Sequence, residues 1–393
     1  MKKIIALILT LALVCTMLIG CGTKTNTKDT GTDTTGSTTN TYQIALITDK
    51  GNIDDKSFNQ GAWEGVEQFC KDNKITDYKY FKPEEASDAG YLAAIDTAVA
   101  AGAKTVVTPG YLFEVPVYEA QTKYPNVNFI LLDGSPHTAD YATFETKSNV
   151  ASIMYAEEQP GYLAGYAAVK DGYTKLGFMG GMAVPAVIAY GYGYLQGAEA
   201  AATELGLADG SIAVTYHYTG DFAETDTNKA TAKTMYQEGT QVIFACGGSV
   251  GKSVMSAASE ASAKVIGVDV DQRYDSETVI TSAMKGLGVS VQAVLDSIYN
   301  KNSWATYAGK TTTFNASNNG VGLPTIVLGD SAGNAFDRFK TFNKDAYDTV
   351  YATLANASVV PLRTITVADT TGIATADELK AGLKLVKVVV TTR

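Results

Sequence analysis

The stretch that decides the fold is IALITDKGNIDDKSFNQGAWEGVEQF, residues 44–69. Its first four residues are all apolar, as in a strand that is buried on both faces of a parallel sheet. Further on, apolar residues recur every three positions from Trp63 to Phe69, which is the spacing of one helix face. Ser57 and Gln60 have the spacing of a capping box, so the helix is predicted to begin at Ser57. A strand followed by such a helix is the first half of a βαβ unit.

The same alternation of strands and helices is predicted along most of the chain. Further strands are predicted at 104–107, 128–132, 175–179, 212–217, 241–245, 264–268 and 279–282. Helices are predicted at 57–73, 87–102, 114–123, 157–170, 185–206, 224–238, 250–262 and 286–300. The C-terminal tail, residues 330–393, is less periodic. It has a predicted helix at 345–357 and strand-like segments at 363–367 and 384–392. This alternation predicts an α/β fold with parallel sheets and right-handed crossovers.

The ordered part of the chain is too long for one compact sheet, so we expect two doubly wound lobes. The chain is predicted to cross between them near Asn149–Glu158, near residue 283 and near residues 315–319. Three crossings form a hinge with an interlobe cleft beside it. The predicted parts are residues 42–155 plus 284–313 for lobe I, and residues 156–283 plus 314–393 for lobe II.

The first residues have the features of an export signal. A basic start is followed by an apolar run from Ile4 to Ile19, shorter than the roughly 20 residues that span a bilayer. Residues 1–20 are therefore predicted to be a signal peptide. Leu18, Gly20 and Cys21 match a bacterial lipobox, in which cleavage before the cysteine accompanies acylation of its thiol. The alternative is an ordinary signal peptide with an incidental cysteine.

The polar segment at residues 21–41 is predicted to be a flexible tether behind this lipidated cysteine, because it cannot bury apolar surface. We therefore expect a protein anchored by lipid on the extracytoplasmic face of the cell membrane. The two later cysteines, Cys70 and Cys246, are expected to be buried and unpaired rather than joined in a disulfide.

Composition excludes several classes of function. The 393 residues include 31 Lys and Arg and 41 Asp and Glu, which gives a net charge of −10 and argues against a nucleic acid partner. His137 and His217 are too few for a histidine metal site, and no metal or cofactor is expected. Residues 247–253 resemble a phosphate-binding loop but are one residue too short, so they are predicted to be a turn and a helix start. Glu157 and Glu158 are also predicted to begin a helix, where acidic residues are favourable.

The candidate binding residues lie where predicted strands end and the next helices begin. Ligands of open parallel sheets bind beyond the carboxyl ends of the strands. The side chains and turns expected there are Asp49, Phe58, Asn59, Asp133, Tyr190, Gly248, Asp269 and Lys285. A single aspartate after a strand is more often a turn residue than a ligand, so the prediction rests on the whole group.

This group suits a flat, hydroxylated and uncharged ligand. Aromatic rings can stack on both faces of a planar base, and carboxylates accept hydrogen bonds from ring N–H groups or ribose hydroxyls. Acidic side chains would repel a phosphate, so a nucleoside fits better than a nucleotide.

Several segments resemble one known family. The run from Ile44 to Asp49, through Asp54–Gln60 to Trp63–Gly65, resembles the opening signature of the basic membrane protein family, which are nucleoside-binding lipoproteins of ABC importers. Further similar segments are Gly180–Met182, with Pro185 and Gly193-Tyr194 beyond it, Ala245–Gly251, Ile266–Gln272, and Thr281-Ser282 with Lys285, so the resemblance extends over about residues 42–290. It implies a type I periplasmic-binding-protein fold, no enzymatic activity, and ABC permease and ATPase subunits as partners. The implied ligand is a purine nucleoside such as guanosine, inosine or adenosine.

The resemblance also implies a role for each candidate residue. Asp49, Asn59 and Asp133 would contact the base, with Phe58 on one face of it. Gly248, Asp269 and Lys285 would hold the ribose. Tyr190 is taken to stand where the family usually has a phenylalanine as the second stacking ring.

Other functions stay open from the sequence. One is a receptor for a sugar or another small metabolite, and a second is a surface sensor or adhesin without a permease. A nucleoside hydrolase or phosphorylase is a third, but it would need a metal-binding aspartate cluster or a phosphate pocket that the sequence does not show.

Overall fold

The structure is a computed structural model that describes residues 43–364 and 382–391. The predicted signal peptide, Cys21 and the whole predicted tether lie outside these residues. The strands are β1 (Ile44–Ile47), β2 (Tyr78–Phe81), β3 (Thr105–Pro109), β4 (Asn128–Leu132), β5 (Val150–Tyr155), β6 (Lys175–Gly180), β7 (Ile212–Tyr218), β8 (Val242–Cys246), β9 (Lys264–Asp269), β10 (Val279–Lys285), β11 (Lys310–Phe314), β12 (Val321–Gly322) and β13 (Val386–Thr391). The helices are α1 (Phe58–Asp72), α2 (Asp88–Ala100), α3 (Glu114–Lys123), α4 (Glu158–Lys170), α5 (Pro185–Glu204), α6 (Asp226–Gln237), α7 (Val250–Ala261), α8 (Leu287–Tyr299) and α9 (Lys344–Ala355).

These strands form two sheets. The first has the order β11-β5-β4-β3-β1-β2, and the second has the order β12-β10-β9-β8-β6-β7-β13. All neighbouring strands are parallel except β12, which is antiparallel to β10. Counted within each lobe, the first five strands have the order 2-1-3-4-5, which is a doubly wound arrangement. The predicted α/β fold with two doubly wound lobes is confirmed.

The chain passes between the two sheets three times. It leaves the first sheet after β5, returns after β10 to α8, which packs against α1, and leaves again after β11. Met284 and Lys285 are the last residues of β10 in the second sheet, whereas the sequence placed them in lobe I. Phe314 is the last residue of β11 in the first sheet, whereas the sequence placed it in lobe II.

The start of α1 differs from the predicted capping box. The Asp55 carboxylate accepts hydrogen bonds from the backbone N–H groups of Ser57, Asn59 and Gln60, at 2.9 to 3.1 Å. Ser57 therefore does not cap the helix with its side chain. Its hydroxyl instead donates to Asp269 Oδ2 at 2.6 Å, across the cleft. The carboxylate two residues upstream supplies the acceptors that the helix N-terminus needs, which leaves the hydroxyl for the other lobe.

One of the two strand-like segments predicted in the tail is a strand among the described residues. Strand β13 pairs in parallel with β7, from Val386 opposite Ile212 to Thr391 opposite His217. Arg363 and Thr364, part of the strand predicted at 363–367, are not in a strand, and residues 365–367 lie outside the described part of the chain. Cys70 and Cys246 are free and buried, as predicted.

Candidate ligand-binding site

A cavity of about 420 Å³ lies between the two lobes, at the carboxyl ends of both sheets. This volume is within the usual range of roughly 300–1,000 Å³ for small-molecule sites. The structure brings all the predicted site residues to its wall: Asp49, Phe58, Asn59, Asp133, Tyr190, Gly248, Asp269 and Lys285.

The cavity lies where the strand order reverses in each sheet. In the first lobe this is between β1 and β3, and Asp49 and Gly110 follow these strands. In the second lobe it is between β6 and β8, and Val184 and Gly247 follow these strands. All four residues line the cavity. Helices leave such a point toward opposite faces of a sheet, so a crevice opens there without any gap in the core.

Two aspartates occupy matching positions in the two lobes. Asp133 follows the fourth strand of the first lobe, and Asp269 ends the fourth strand of the second. Both have left-handed backbones, with φ of 55° and 65°. That conformation costs energy for a residue with a side chain, and aspartate is among the residues that adopt it most readily. Each lobe thus contributes one carboxylate with this backbone conformation to the wall of the same cavity.

Lys285 lies between these carboxylates. Its ammonium hydrogen-bonds Asp133 Oδ2, and it is 3.2 Å from Glu157 Oε1 and 3.9 Å from Asp269 Oδ1. Burial acts to lower the pKa of Lys285, but the three carboxylates outweigh it and raise that pKa above its usual value. The ammonium therefore keeps its proton, although only 3% of the side chain is exposed.

The Asp133 carboxyl group has a shifted pKa and an oxygen atom that no described residue hydrogen-bonds. Burial raises the pKa of Asp133 to about 7, against the opposing effect of Lys285. Its Oδ1 accepts no hydrogen bond from the described residues. It is therefore a buried acceptor that lines the cavity and is available to a ligand.

Asn59 orients Asp49. Its amide nitrogen donates to Asp49 Oδ1 at 2.8 Å and to Asp55 Oδ2 at 2.9 Å, and its carbonyl oxygen accepts from the Asp49 N–H at 3.1 Å. Burial raises the pKa of Asp49 to about 6. Because both amide hydrogens of Asn59 already have acceptors, the free hydrogen-bonding capacity here is that of oxygen atoms.

Both aromatic residues of the predicted pair line the cavity, but they differ in exposure. Phe58 lines the cavity and is partly exposed. Tyr190 also lines it, but its side chain is 1% exposed, packs edge-on against Phe244, and places its hydroxyl 3.4 Å from Asp269 Oδ1. Phe222, which is not among the predicted site residues, follows β7, lines the cavity and is partly exposed.

The position of Phe222 depends on a glycine. A Cβ atom on Gly181 would lie 2.5 Å from two carbons of the Phe222 ring, so only glycine leaves room for the ring there. The Phe222 carbonyl accepts from the Ser249 N–H at 3.1 Å. The Gly180-Gly181 pair was the available signal that a bulky group lies against this turn.

Four charged residues of the cavity wall were not among the predicted site residues: Asp55, Glu114, Glu157 and Arg363. Glu157 is fully buried and pairs with Lys285 and Arg363, although its sequence position predicted only a helix start. Its place two residues after the end of β5 was a usable signal. Arg363 comes from the tail, and nothing in the local sequence points to the cavity. The aromatic side chains of Tyr111, Tyr141 and Phe144 also line it.

The two lobes are in contact around the cavity. Gln272 Nε2 donates to the Lys56 carbonyl at 2.7 Å, and Lys252 Nζ donates to the Asp54 carbonyl at 3.2 Å. Lys56 also pairs with Asp275 at 3.6 Å. Lys252, in the segment that resembles a phosphate loop, thus contacts the other lobe.

A family model described as ABC transporter substrate-binding protein, PnrA-like, matches residues 42–352. The chain belongs to this family. The PnrA-like proteins are substrate-binding proteins and not enzymes, so the protein is the solute-binding component of an ABC transporter. The resemblance to the basic membrane proteins is confirmed.

Two relatives illustrate the similarity of the chain to other PnrA-like proteins. It is 30% identical over 347 residues to the ABC transporter nucleoside-binding protein BmpA of Lactococcus lactis, covering 82% of this chain and 92% of the relative. It is 30% identical over 250 residues to basic membrane protein A of Borreliella burgdorferi, covering 63% of this chain and 69% of that protein.

Solved structures agree with the fold of the PnrA-like chain. An ABC transporter solute-binding protein from Aeropyrum pernix superposes with a TM-score of 0.70 at 22% identity, covering 87% of this chain and 98% of that one. A lac repressor superposes with a TM-score of 0.50 at 13% identity, covering 73% and 82%. The predicted type I periplasmic-binding-protein fold is confirmed.

Proposed function

We propose that the protein binds purine nucleosides in the interlobe cavity and delivers them to the permease of an ABC importer. The observation that carries the proposal is the position of Asp133 and Asp269 on either side of Lys285, both with a left-handed backbone conformation. These groups alternate acceptor, donor and acceptor, which matches the hydroxyls and ring nitrogens of a nucleoside. The Lactococcus relative is named as a nucleoside-binding protein, which supports the same ligand class.

The charge of the cavity favours an uncharged ligand. Among the residues that the structure describes, its wall carries six carboxylates but only two cations, Lys285 and Arg363. Both cations are already paired with carboxylates. The carboxylates are Asp49, Asp55, Glu114, Asp133, Glu157 and Asp269. A phosphate group would enter a region of like charge whose described cations are already engaged, so a nucleoside fits better than a nucleotide.

Two aromatic rings are placed to stack on the base of a nucleoside. Phe58 comes from the first lobe and Phe222 from the second, and both are partly exposed in the cavity. We assign them to the two faces of the base, with Asp49, Asn59 and Asp133 at its edge. Tyr190 then forms the wall beside Asp269, while Gly248, Asp269 and Lys285 hold the ribose.

Replacing Asp269 is the experiment that tests this assignment. Asp269→Ala removes an acceptor from the ribose site, which costs about 1.5–3 kcal/mol for a hydrogen bond to a charged group, or roughly 10- to 150-fold in affinity. Isothermal titration with inosine and with hypoxanthine should show a large loss for the nucleoside and a small one for the free base. Asp209→Asn, on the exposed surface, is the control.

The outcome separates several alternatives. Equal losses for inosine and hypoxanthine would contradict the ribose assignment. Failure of the wild-type protein to bind inosine, guanosine or adenosine, together with binding of free ribose, would favour a sugar receptor.

We also propose that Cys21 carries a lipid that anchors the protein on the extracytoplasmic face of the membrane. Among residues 43–364 and 382–391, no helix is long and apolar enough to cross a membrane. Cys21→Ser removes the thiol that would carry the lipid, so the variant should stay unprocessed or be released from the cell. Fractionation of cells and medium measures this, and complete recovery of the processed variant with membranes would contradict the anchor.

A further inference from the structure

Arg363 reaches the cavity from a part of the chain that the family model does not cover. That model ends at residue 352, within α9. After α9, the chain runs back to α5, where the Gln196 side chain and the Leu362 backbone exchange two hydrogen bonds of 2.8 and 2.9 Å. The next residue, Arg363, lines the cavity.

The guanidinium of Arg363 is fixed at the first crossing between the lobes. Its Nη1 donates to the Tyr155 carbonyl at 2.8 Å and to Glu158 Oε2 at 2.9 Å, and it forms an ion pair with Glu157 Oε2. Tyr155 ends β5 of the first sheet, and Glu158 begins α4 of the second lobe. Arg363 therefore contacts the hinge from the second lobe.

Glu157 lies between two cations. One carboxylate oxygen faces Arg363, and the other is 3.2 Å from Lys285. Burial acts to raise the pKa of Glu157, but Lys285 and Arg363 outweigh it and hold that pKa below its usual value. If one of its two cations were removed, a buried carboxylate would interact more strongly with the cation that remains.

We propose that Arg363 is a positioning residue of the nucleoside site, which holds Glu157 and thereby keeps the Lys285 ammonium between Asp133 and Asp269. This inference rests on the proposed nucleoside-binding function. Without Arg363, Glu157 competes with the two aspartates for a single ammonium, and the donor moves away from the ligand. A segment beyond the family match therefore sets the position of a residue within it.

The test compares the affinity of Arg363→Gln and wild type for inosine by isothermal titration. We expect about a tenfold loss, from the weakening of one charged hydrogen bond to the ligand. Arg363→Lys should recover part of it, because the charge returns without the planar donor group. Arg338→Gln is the matched control, since Arg338 donates to the carbonyls of Ser276 and Val279 and is not at the cavity.

A double-mutant cycle distinguishes positioning from a general structural effect. If Arg363 acts through Glu157, then Arg363→Gln costs little further affinity in a Glu157→Gln background. An equal loss in both backgrounds would overturn the proposal, and so would wild-type affinity of Arg363→Gln.

A second cycle needs no ligand. Arg363→Gln and Lys285→Met, alone and together, are unfolded in urea without nucleoside. Coupling between these two residues, which both contact Glu157, supports the inference, and strict additivity overturns it. Failure of the wild-type protein to bind inosine, guanosine or adenosine overturns the proposed function alone.

Discussion

Lys285→Met is expected to abolish detectable nucleoside binding and to lower the free energy of unfolding by about 3–5 kcal/mol, the usual cost of removing one partner from a buried ion pair. Lys285 is 3% exposed and is near Asp133, Glu157 and Asp269. Without its ammonium, the cation that remains beside these carboxylates is Arg363, on Glu157. Titration with inosine and urea unfolding measure the two effects.

The loss of stability in this variant should depend on pH. In the wild type, burial already raises the pKa values of Asp133 and Asp269, whereas the pKa of Glu157 is held below its usual value. Lys285 lowers the pKa of each of the three carboxylates, so its removal raises all three in the folded variant. The folded variant then binds protons more tightly than the folded wild type, so the deficit grows as the pH rises from about 4 toward 8. Lys301→Met, whose exposed ammonium pairs with Asp296, is the control. An equal deficit at pH 5 and pH 8 would contradict the proposed charge cluster.

Phe58→Ala and Phe222→Ala should each weaken nucleoside binding by about 1–3 kcal/mol, or roughly 5- to 150-fold, because each removes a stacking face for the base. The double variant should lose less binding free energy than the sum of the two single losses. The reason is that one ring contacts the base fully only when the other ring packs on the opposite face. Tyr190→Phe should bind nearly as well as wild type. Titration with inosine and guanosine compares these variants.

Glycine substitutions test the ring of Phe222 without removing it. Gly181→Ala places a Cβ atom 2.5 Å from that ring and should weaken binding in the same direction. Gly288→Ala, with its nearest neighbour 3.7 Å away, is the control. Normal nucleoside affinity of Phe222→Ala, together with a large loss of affinity for Tyr190→Ala, would show that Tyr190 stacks on the second face of the base, as the sequence predicted.

The sequence could predict most of the framework because buried parallel strands are continuous apolar runs. Locating the ends of such strands also locates the loops that meet at the cleft, which is why Asp49, Asp133 and Asp269 could be named together. Three of the four edge strands, β2, β11 and β12, were missed, whereas β13 was predicted. In β2 the central residues Lys79 and Tyr80 are exposed, and β11 is largely polar and exposed, so neither has the apolar run of a central strand.

Other residues could not be found because distant contacts place them. Phe222 is held by the hydrogen bond between its carbonyl and the Ser249 N–H, and Arg363 is held through the contact of its neighbour with Gln196. Glu157 has the same local sequence whether it caps a helix or pairs with Lys285. Only the folded chain, which brings β10 and the tail beside it, decides between these roles.

Strand β13 has a consequence for the order in which the lobes can be completed. All six strands of the first sheet precede residue 315, so that sheet can assemble while the tail is still being synthesised. The second sheet leaves the β7 edge unpaired until residues 386–391 are available. An open edge is a template for pairing with other chains, and contacts between distant segments form slowly. The second lobe should therefore be the part of a newly made chain that most needs protection from aggregation.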